Sequence, residues 1–385
     1  MTSIRLCIVS PYAHALFIGQ RRRFGGVEAY GGAEVQQRLI ALGLAVRDVD
    51  VRFVSYAAGE PREELCDGTR FFTIPIPLGS PWRRHVAWNL ALWGALGRAD
   101  ADVYYQRCAG LLTGVVAAFS RYAGRPFIFS VANDRDLDGR YLDNAPWHEG
   151  ILYRLGLRLA TEVVVQSRFQ QKLLGERWGR EGVLIPSACP LPETPPIPAR
   201  SREGVLWVGS LLRKKRPELL ADLARALPAV PFTVIAPLVG EPGFVREIQD
   251  RLSGLRNVRH VESVSYQDMP AHYRRAALLV STSLAEGFPN VFLESWAARM
   301  PVISLDIDPD ELICREGLGI HVRSVVEMVE GTRRLLTDAD AREEIGLRAE
   351  AYVRRCHTPE VVAERYEDLL RRCLSEAPRG GNQGS

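Results

Sequence analysis

The chain has 385 residues, enough for two domains with ample cores. Its 49 basic residues nearly balance 46 acidic ones, and the net charge of +3 gives no global field for nucleic acid. No apolar run approaches the length of a bilayer span and MTSIRLCIVSPY leads directly into a strand, so a soluble cytoplasmic protein, at most membrane-associated, is expected.

Strand-like runs alternate with amphipathic helical stretches, the pattern of open parallel sheets covered on both faces. The first half yields strands at 4–10, 51–56, 103–106, 127–131, 162–166 and 183–186. The first strand leads through a loop with Arg21, Arg22 and Arg23 into Tyr30-Gly31-Gly32-Ala33-Glu34 and a helix. Glycines at a helix start let a phosphate or a sugar approach the backbone closely. The three arginines read either as a solvated loop or as the lining of an acceptor site for something anionic. Trp82, Trp88 and Trp93 with Arg83 and Arg84 sit on a predicted helix that packs in the core with snorkelling arginines or touches a membrane surface. After the fourth strand, Asn133 and Asp134 lie in a polar turn and either bind hydroxyls or form an Asx cap.

The proline-dense stretch 191–200 reads as an extended linker closing a first domain at 1–190. A second domain then spans 201–357, with strands at 205–209, 232–236, 258–262, 277–281 and 302–305, and a Gly-rich polar tail at 375–385 is expected to be disordered. After the first of these strands, Gly209 and Ser210 precede Leu211-Leu212-Arg213-Lys214-Lys215-Arg216-Pro217 and a helix. Four cations at the positive end of a helix repel one another unless an anion arrives.

The apolar run ending at Ser283 breaks into EGFPNVFLESWAARM, which places Glu286 and Glu294 with seven residues between them. Gly287, Pro289 and Asn290 read as a strand-to-helix turn, with a helix over 292–300. One carboxylate then sits on the turn and the other about one turn into the helix. The unpaired N–H groups of the helix start lie between them and form a site for phosphate. Such a pair suits a nucleotide diphosphate sugar, with one acid for hexose hydroxyls, one for the ribose diol and amides for the diphosphate.

Competing chemistries are poorly supported. Asp306-Ile307-Asp308 runs into Pro309-Asp310-Glu311 and reads as a polar loop, not a metal motif. The dinucleotide-binding Gly-x-Gly-x-x-Gly is missing after the first strand. His14, His85, His148, His260, His272, His321 and His357 are too scattered for a metal cluster, so no metal and no cofactor is expected. Seven cysteines without a Cys-x-x-Cys pair read as thiols of a reducing cytosol.

The stretch from Glu286 to Glu294 resembles the E-x7-E motif of retaining glycosyltransferases of family 4, which have the GT-B fold: two Rossmann-like, doubly wound parallel-sheet domains facing a central cleft. The resemblance implies that Glu286 contacts the donor sugar, Glu294 the ribose, and amides after Gly287 and Phe288 the phosphates, with Pro289, Asn290 and Val291 completing the donor site. Gly31 and Gly32 match the family's Gly-Gly-Ala-Glu turn, whose amides face the donor diphosphate and the acceptor. Ser210 stands where the family has Arg after Gly209, Lys215 matches the family lysine, and Arg213 supplies the guanidinium from a shifted position. Many members carry a His where this chain has Asn133 and Asp134, which leaves Asp134 beside the reacting sugar and Asn133 on the acceptor side. Arg299-Met300 replaces the usual Gly before the Pro301-Val302-Ile303 strand, a departure expected to loosen that turn. In the family the last helix, here 358–374, crosses back to the first domain. The implied activity is metal-independent transfer of a hexose from a UDP- or GDP-sugar to a glycan, lipid or small-molecule acceptor. A catalytically silent donor-binding subunit of a polysaccharide assembly complex and a sugar phosphorylase are the competing readings, and no oligomeric state is implied.

Overall fold

The apolar runs form the strands of two sheets. The computed structural model describes residues 3–18, 31–57, 62–75 and 81–376, so the tail beyond 376 lies outside the described residues. Its contacts divide the chain into two units, 1–188 with 359–385, and 189–358.

The first unit holds β1 (Ile4–Val9), β2 (Val49–Ala57), β3 (Arg62–Cys66), β4 (Thr69–Pro75), β5 (Val103–Arg107), β6 (Phe127–Ser130), β7 (Glu162–Val165) and β8 (Val183–Leu184). They lie in the order β3-β4-β2-β1-β5-β6-β7-β8. All neighbours run parallel except β3 and β4. Along β1, Cys7 and Val9 enter one core and Leu6 and Ile8 the other. A strand covered on both faces is apolar at most positions, which is why these strands read as near-continuous runs. β3 and β4 escaped the sequence reading; they form a hairpin across Asp67 and Gly68, whose φ values of 47° and 73° suit a tight two-residue turn.

The helix Pro359–Glu376 buries Val362, Ala363, Tyr366, Leu369, Leu370 and Cys373, an apolar stripe at helical spacing. It packs on the helix Gly32–Ala45 so closely that a Cβ on Gly43 would stand 2.9 Å from Ala363 Cβ. Any larger residue at 43 would push the two helices apart.

The second unit holds β9 (Val205–Val208), β10 (Phe232–Ile235), β11 (Val258–Val261), β12 (Leu278–Ser281), β13 (Val302–Leu305) and β14 (Gly319–Val322), all parallel, in the order β11-β10-β9-β12-β13-β14. The break between the units falls after Ala188, ahead of the proline-rich stretch. That stretch packs as part of the second unit and not as a free linker. The Ala199 amide donates to Glu343 at 2.9 Å, and Arg342 donates to the Ala199 carbonyl at 2.9 Å.

The helix that follows β12 spans Asn290–Ala297, starting two residues before the sequence expectation. The turn after it is closed, contrary to the loosening expected from Arg299-Met300. Met300 N donates to Ser295 O at 2.9 Å, and Arg299 takes φ 57°, the left-handed conformation that Gly adopts freely. A salt bridge to Glu350 at 2.6 Å and a bond from Arg202 to the Ala298 carbonyl at 2.7 Å hold it there.

Candidate functional site

Sheets of this kind present their ligand sites beyond the carboxyl ends of the strands. In the second unit β9 and β12 are neighbours, so the loops leaving them are brought side by side. The basic loop makes a short 3-10 turn over Arg213–Lys215, then reverses at Arg216, φ 47°, and Pro217 opens the next helix.

Several contacts fasten this loop to the one after β12. Thr282 Oγ1 donates to the Lys215 carbonyl at 2.6 Å, and Leu284 N donates to the Lys214 carbonyl at 2.8 Å. Arg216 Nε donates to the Thr282 carbonyl at 2.7 Å. The Lys215 ammonium pairs with the Glu286 carboxylate, both side chains mostly buried at 17% and 12% exposure. Trp207 Nε1 also donates to Thr282 Oγ1 at 3.1 Å, so one hydroxyl links β9, the basic loop and β12. Two expected site residues are thus in direct contact.

The turn itself is anchored from below. Phe288 is buried against Trp296 and His357, and Pro289 stands at the helix N-cap, with Asn290 first in the helix. Gly287, Asn290 and Val291 are half-buried around it. Glu294 follows one turn in and accepts a hydrogen bond from the Tyr273 hydroxyl at 2.5 Å. Burial pushes its carboxyl up to about 7, and the Tyr273 bond only partly offsets that.

Gly209 lies against the Trp207 indole; a Cβ there would meet the ring at 3.1 Å. Ser210 is half-buried on the same loop. Arg213 is not brought to the Lys215–Glu286 pair. Its exposed guanidinium meets Glu241 at 3.0 Å and covers the Phe244 ring at 4.4 Å. The guanidinium that reaches the β12 loop belongs to Arg216, which also pairs with Asp306. Sequence reasoning missed Arg216, Thr282 and Tyr273. The polar Ser281-Thr282-Ser283 ending an apolar strand was the available signal.

In the first unit Gly31 is the N-cap of the helix Gly32–Ala45, and its amide donates to Glu34 at 2.8 Å. Arg21, Arg22 and Arg23 lie outside the described residues. Asn133 accepts from Arg135 N at 3.1 Å, so its side chain forms the Asx cap, one of the two readings of that turn. Asp136, which the sequence reading passed over, accepts from the Ala132 and Asn133 amides at 2.9 and 3.2 Å and fixes the turn. Asp134 accepts from Gln170 Nε2 at 2.9 Å, and burial pushes its carboxyl up to about 7. Arg107, buried at the end of β5, donates to Ser130 at 3.1 Å and lies within electrostatic reach of Glu34 and Asp136.

Trp88 is buried and Trp93 packs edge-on to Phe119, which is the core reading; the side chains of Trp82, Arg83 and Arg84 lie outside the described residues. Exposed apolar side chains occur instead on the helix Trp147–Leu159, where Trp147, Ile151 and Leu155 repeat every four residues. Among the described residues no helix is long and apolar enough to cross a membrane. Asp306 and Asp308 form a polar loop, the first paired with Arg216 and the second capping the helix Leu312–Arg315 through the Ile313 and Cys314 amides. Among the described residues two mixed groups each hold one histidine. His14 meets Glu64 and Cys66, and His321 meets Asp308 and Cys314, each set with its ligand atoms within 4.8 Å of one another.

Residues 31–188 match the family model described as a glycosyl transferase 4-like domain, and residues 202–338 the model described as glycosyl transferases group 1. Sucrose-phosphate synthase from Thermosynechococcus elongatus superposes with a TM-score of 0.75 at 17% identity, covering 97% of this chain and 99% of that one. HepE from Anabaena, in complex with UDP and glucose, gives 0.71 at 17% identity, over 96% of this chain and 100% of that one. The fold is GT-B. Each half of this GT-B chain thus matches a glycosyltransferase domain. Among relatives, glycosyltransferase 1 domain-containing protein 1 of Xenopus tropicalis is 28% identical over 154 residues, 40% of this chain. The match spans 44% of that relative, less than half its length.

Proposed function

We propose that the chain is a retaining, metal-independent glycosyltransferase of family 4. It moves a hexose from a UDP- or GDP-sugar to a hydroxyl of a glycan, lipid or small molecule. The observation that carries this reading is the Lys215–Glu286 pair, set in the turn that leads into the helix carrying Glu294. A diphosphate arriving at that helix start, among the amides of Gly287, Phe288, Asn290 and Val291 and near Gly209 and Ser210, competes for the Lys215 ammonium. Glu286 is then released to accept hydroxyls of the hexose, and Glu294 holds the ribose diol.

In the reaction the bond from the anomeric carbon to the diphosphate oxygen breaks, and its electron pair leaves with the diphosphate. The acceptor oxygen attacks from the same face, and its proton passes to the departing diphosphate, so configuration is retained. Lys215 stabilises the charge that grows on the leaving group. Arg213 adds a second cation only by leaving Glu241. On the first unit Gly31 and Gly32 allow close approach of an acceptor to the backbone, Arg21, Arg22 and Arg23 serve an anionic acceptor, and Asp134 positions hydroxyls while Asn133 holds its turn. The seven cysteines are all free thiols, which suits a reducing cytoplasm.

The deciding experiment is thermal shift with UDP-, GDP- and ADP-sugars, followed by anomeric analysis of the product by NMR. A ligand at a hundred times its Kd adds about 2.7 kcal/mol of stability. Stabilisation by none of them, or a product of inverted configuration, would sink the proposal. Glu286→Gln separates the sugar from the nucleotide. Removing its charge leaves Lys215 unopposed, so affinity for free nucleoside diphosphate is expected to hold or rise while affinity for the intact donor falls about tenfold. Equal losses for both ligands would move Glu286 away from the sugar.

Asp134→Asn tests the first unit. It is expected to slow transfer by about tenfold, from loss of a charge-assisted hydrogen bond, with donor affinity unchanged and configuration still retained. A glycosyl ester trapped on Asp134 by rapid quench and mass spectrometry would make it a covalent nucleophile instead.

A further inference from the structure

Away from the Lys215–Glu286 turn, the second unit assembles another group of chemically able side chains. Asp308 follows β13, Cys314 lies on the helix Leu312–Arg315, and His321 is in β14. The carboxylate oxygen, thiol sulfur and imidazole nitrogen lie within 4.8 Å of one another. His321 Nε2 is buried and makes no hydrogen bond, an expensive state for a ring nitrogen unless something occupies it. Cys314 is exposed, so the group opens to solvent on one side. Asp308 is already held by the Ile313 and Cys314 amides at 2.7 and 3.2 Å, the kind of outer support that orients a ligating carboxylate. Asp308 and Glu311 face the thiol with negative charge, against Arg323 as the opposing cation.

We propose that Asp308, Cys314 and His321 bind a divalent transition-metal ion of the zinc type, leaving one position open. One oxygen, one nitrogen and one sulfur make a mixed donor set suited to a borderline ion, and hard calcium or magnesium would not choose it. Around a tetrahedral ion at about 2.0–2.3 Å the ligand atoms stand roughly 3.3–3.8 Å apart, which a rotation of the exposed Cys314 side chain brings within reach. The thiol binds as thiolate and gives its proton to solvent. The ion ties the short helix Leu312–Arg315 to β14. It takes no part in sugar transfer, so the site stands or falls apart from the glycosyltransferase reading. The other mixed group, His14 with Glu64 and Cys66, is weaker, because the His14 ring already pairs with Glu64.

The test is titration of the reduced, chelator-treated full chain with Co²⁺ after the chelator is removed. A single equivalent is expected to produce a near-ultraviolet thiolate-to-cobalt band that Zn²⁺ bleaches. Cys314→Ser should lose the band, His321→Gln should weaken Co²⁺ binding at least about tenfold, and Cys66→Ser should keep both. The proposal fails if the wild-type chain gives no thiolate band. It also fails if the band survives in Cys314→Ser or disappears in Cys66→Ser, since the ion would then sit elsewhere. Should circular dichroism show His321→Gln to be misfolded, Cys314→Ser decides alone, because its side chain is at the surface.

Discussion

Lys215→Ala is expected to lower kcat by roughly 100-fold or more while changing donor affinity far less. The magnitude is that of removing one fixed donor from a site where negative charge develops, and the split follows from when the charge appears. On the proposed assignment the diphosphate of a bound donor would carry its charge among amides and Lys215, and further charge would collect on the leaving oxygen as the bond to the sugar breaks. The ammonium is held for this by its own backbone, since the Lys215 carbonyl is bonded to Thr282 and the Lys214 carbonyl to the Leu284 amide. Steady-state kinetics with one donor and a saturating acceptor measure the split. A change in KM alone would reduce Lys215 to ground-state binding. The same assignment makes turnover persist in excess EDTA; loss of activity with rescue by Mn²⁺ would return attention to Asp306 and Asp308.

What made this site legible was the coupling of two periodic signals to one motif. β9 is apolar throughout and β12 is apolar up to Ser281 because both faces are covered, so their ends, and the loops that follow, were placed within a residue or two. Inside the loops the sequence was a poorer guide. Which cation of Arg213, Lys215 and Arg216 faces Glu286 depends on the reversal at Arg216, φ 47°, and no periodicity encodes a single left-handed residue. Motif matching assigned Lys215 and Arg213 to the leaving diphosphate; in the structure Lys215 pairs with Glu286, and the guanidinium on the β12 loop is that of Arg216. The hairpin β3–β4 carried its signal openly in Asp67-Gly68, yet the half-exposed β3 lacks the continuous apolar run that marked the other strands. Asn133 illustrates the opposite limit: a short polar side chain in a turn serves the backbone or a ligand with equal ease, and only its bond to Arg135 N decides. Histidines scattered through the sequence gave no hint that two of them would meet carboxylates and thiols, because that convergence is made by sheet topology.

Glu294 provides the prediction with a pH axis. Its carboxyl is pushed up to about 7 by burial, with the Tyr273 hydroxyl bond at 2.5 Å opposing that shift. The other titratable neighbour, Cys189, stays protonated, as does Tyr273, because burial raises both. A ribose diol donates two hydrogen bonds, which the ionised carboxylate accepts and the protonated acid does not accept as well. Affinity for an intact nucleotide sugar, whose diphosphate diester does not titrate near neutrality, should therefore weaken as pH falls through 7, by about tenfold between pH 8 and pH 6. Glu294→Ala should lose tenfold or more at pH 8, and Glu294→Gln should bind weakly with a flat profile. Tyr273→Phe removes the bond that favours the carboxylate, so its midpoint should move upward. The stability of the free protein runs the other way. A carboxyl raised in the folded state contributes stability that is complete below its unfolded value of 4.5 and is lost as pH rises through about 7. Glu294→Gln is thus expected to melt higher than the wild type at pH 8 while binding donor less well, the signature of a charge kept in the core for a ligand. Isothermal titration and thermal melts across pH 5.5–8.5 measure both. A pH-independent donor affinity in the wild type, or a Glu294→Gln variant that binds like it, would remove Glu294 from the ribose.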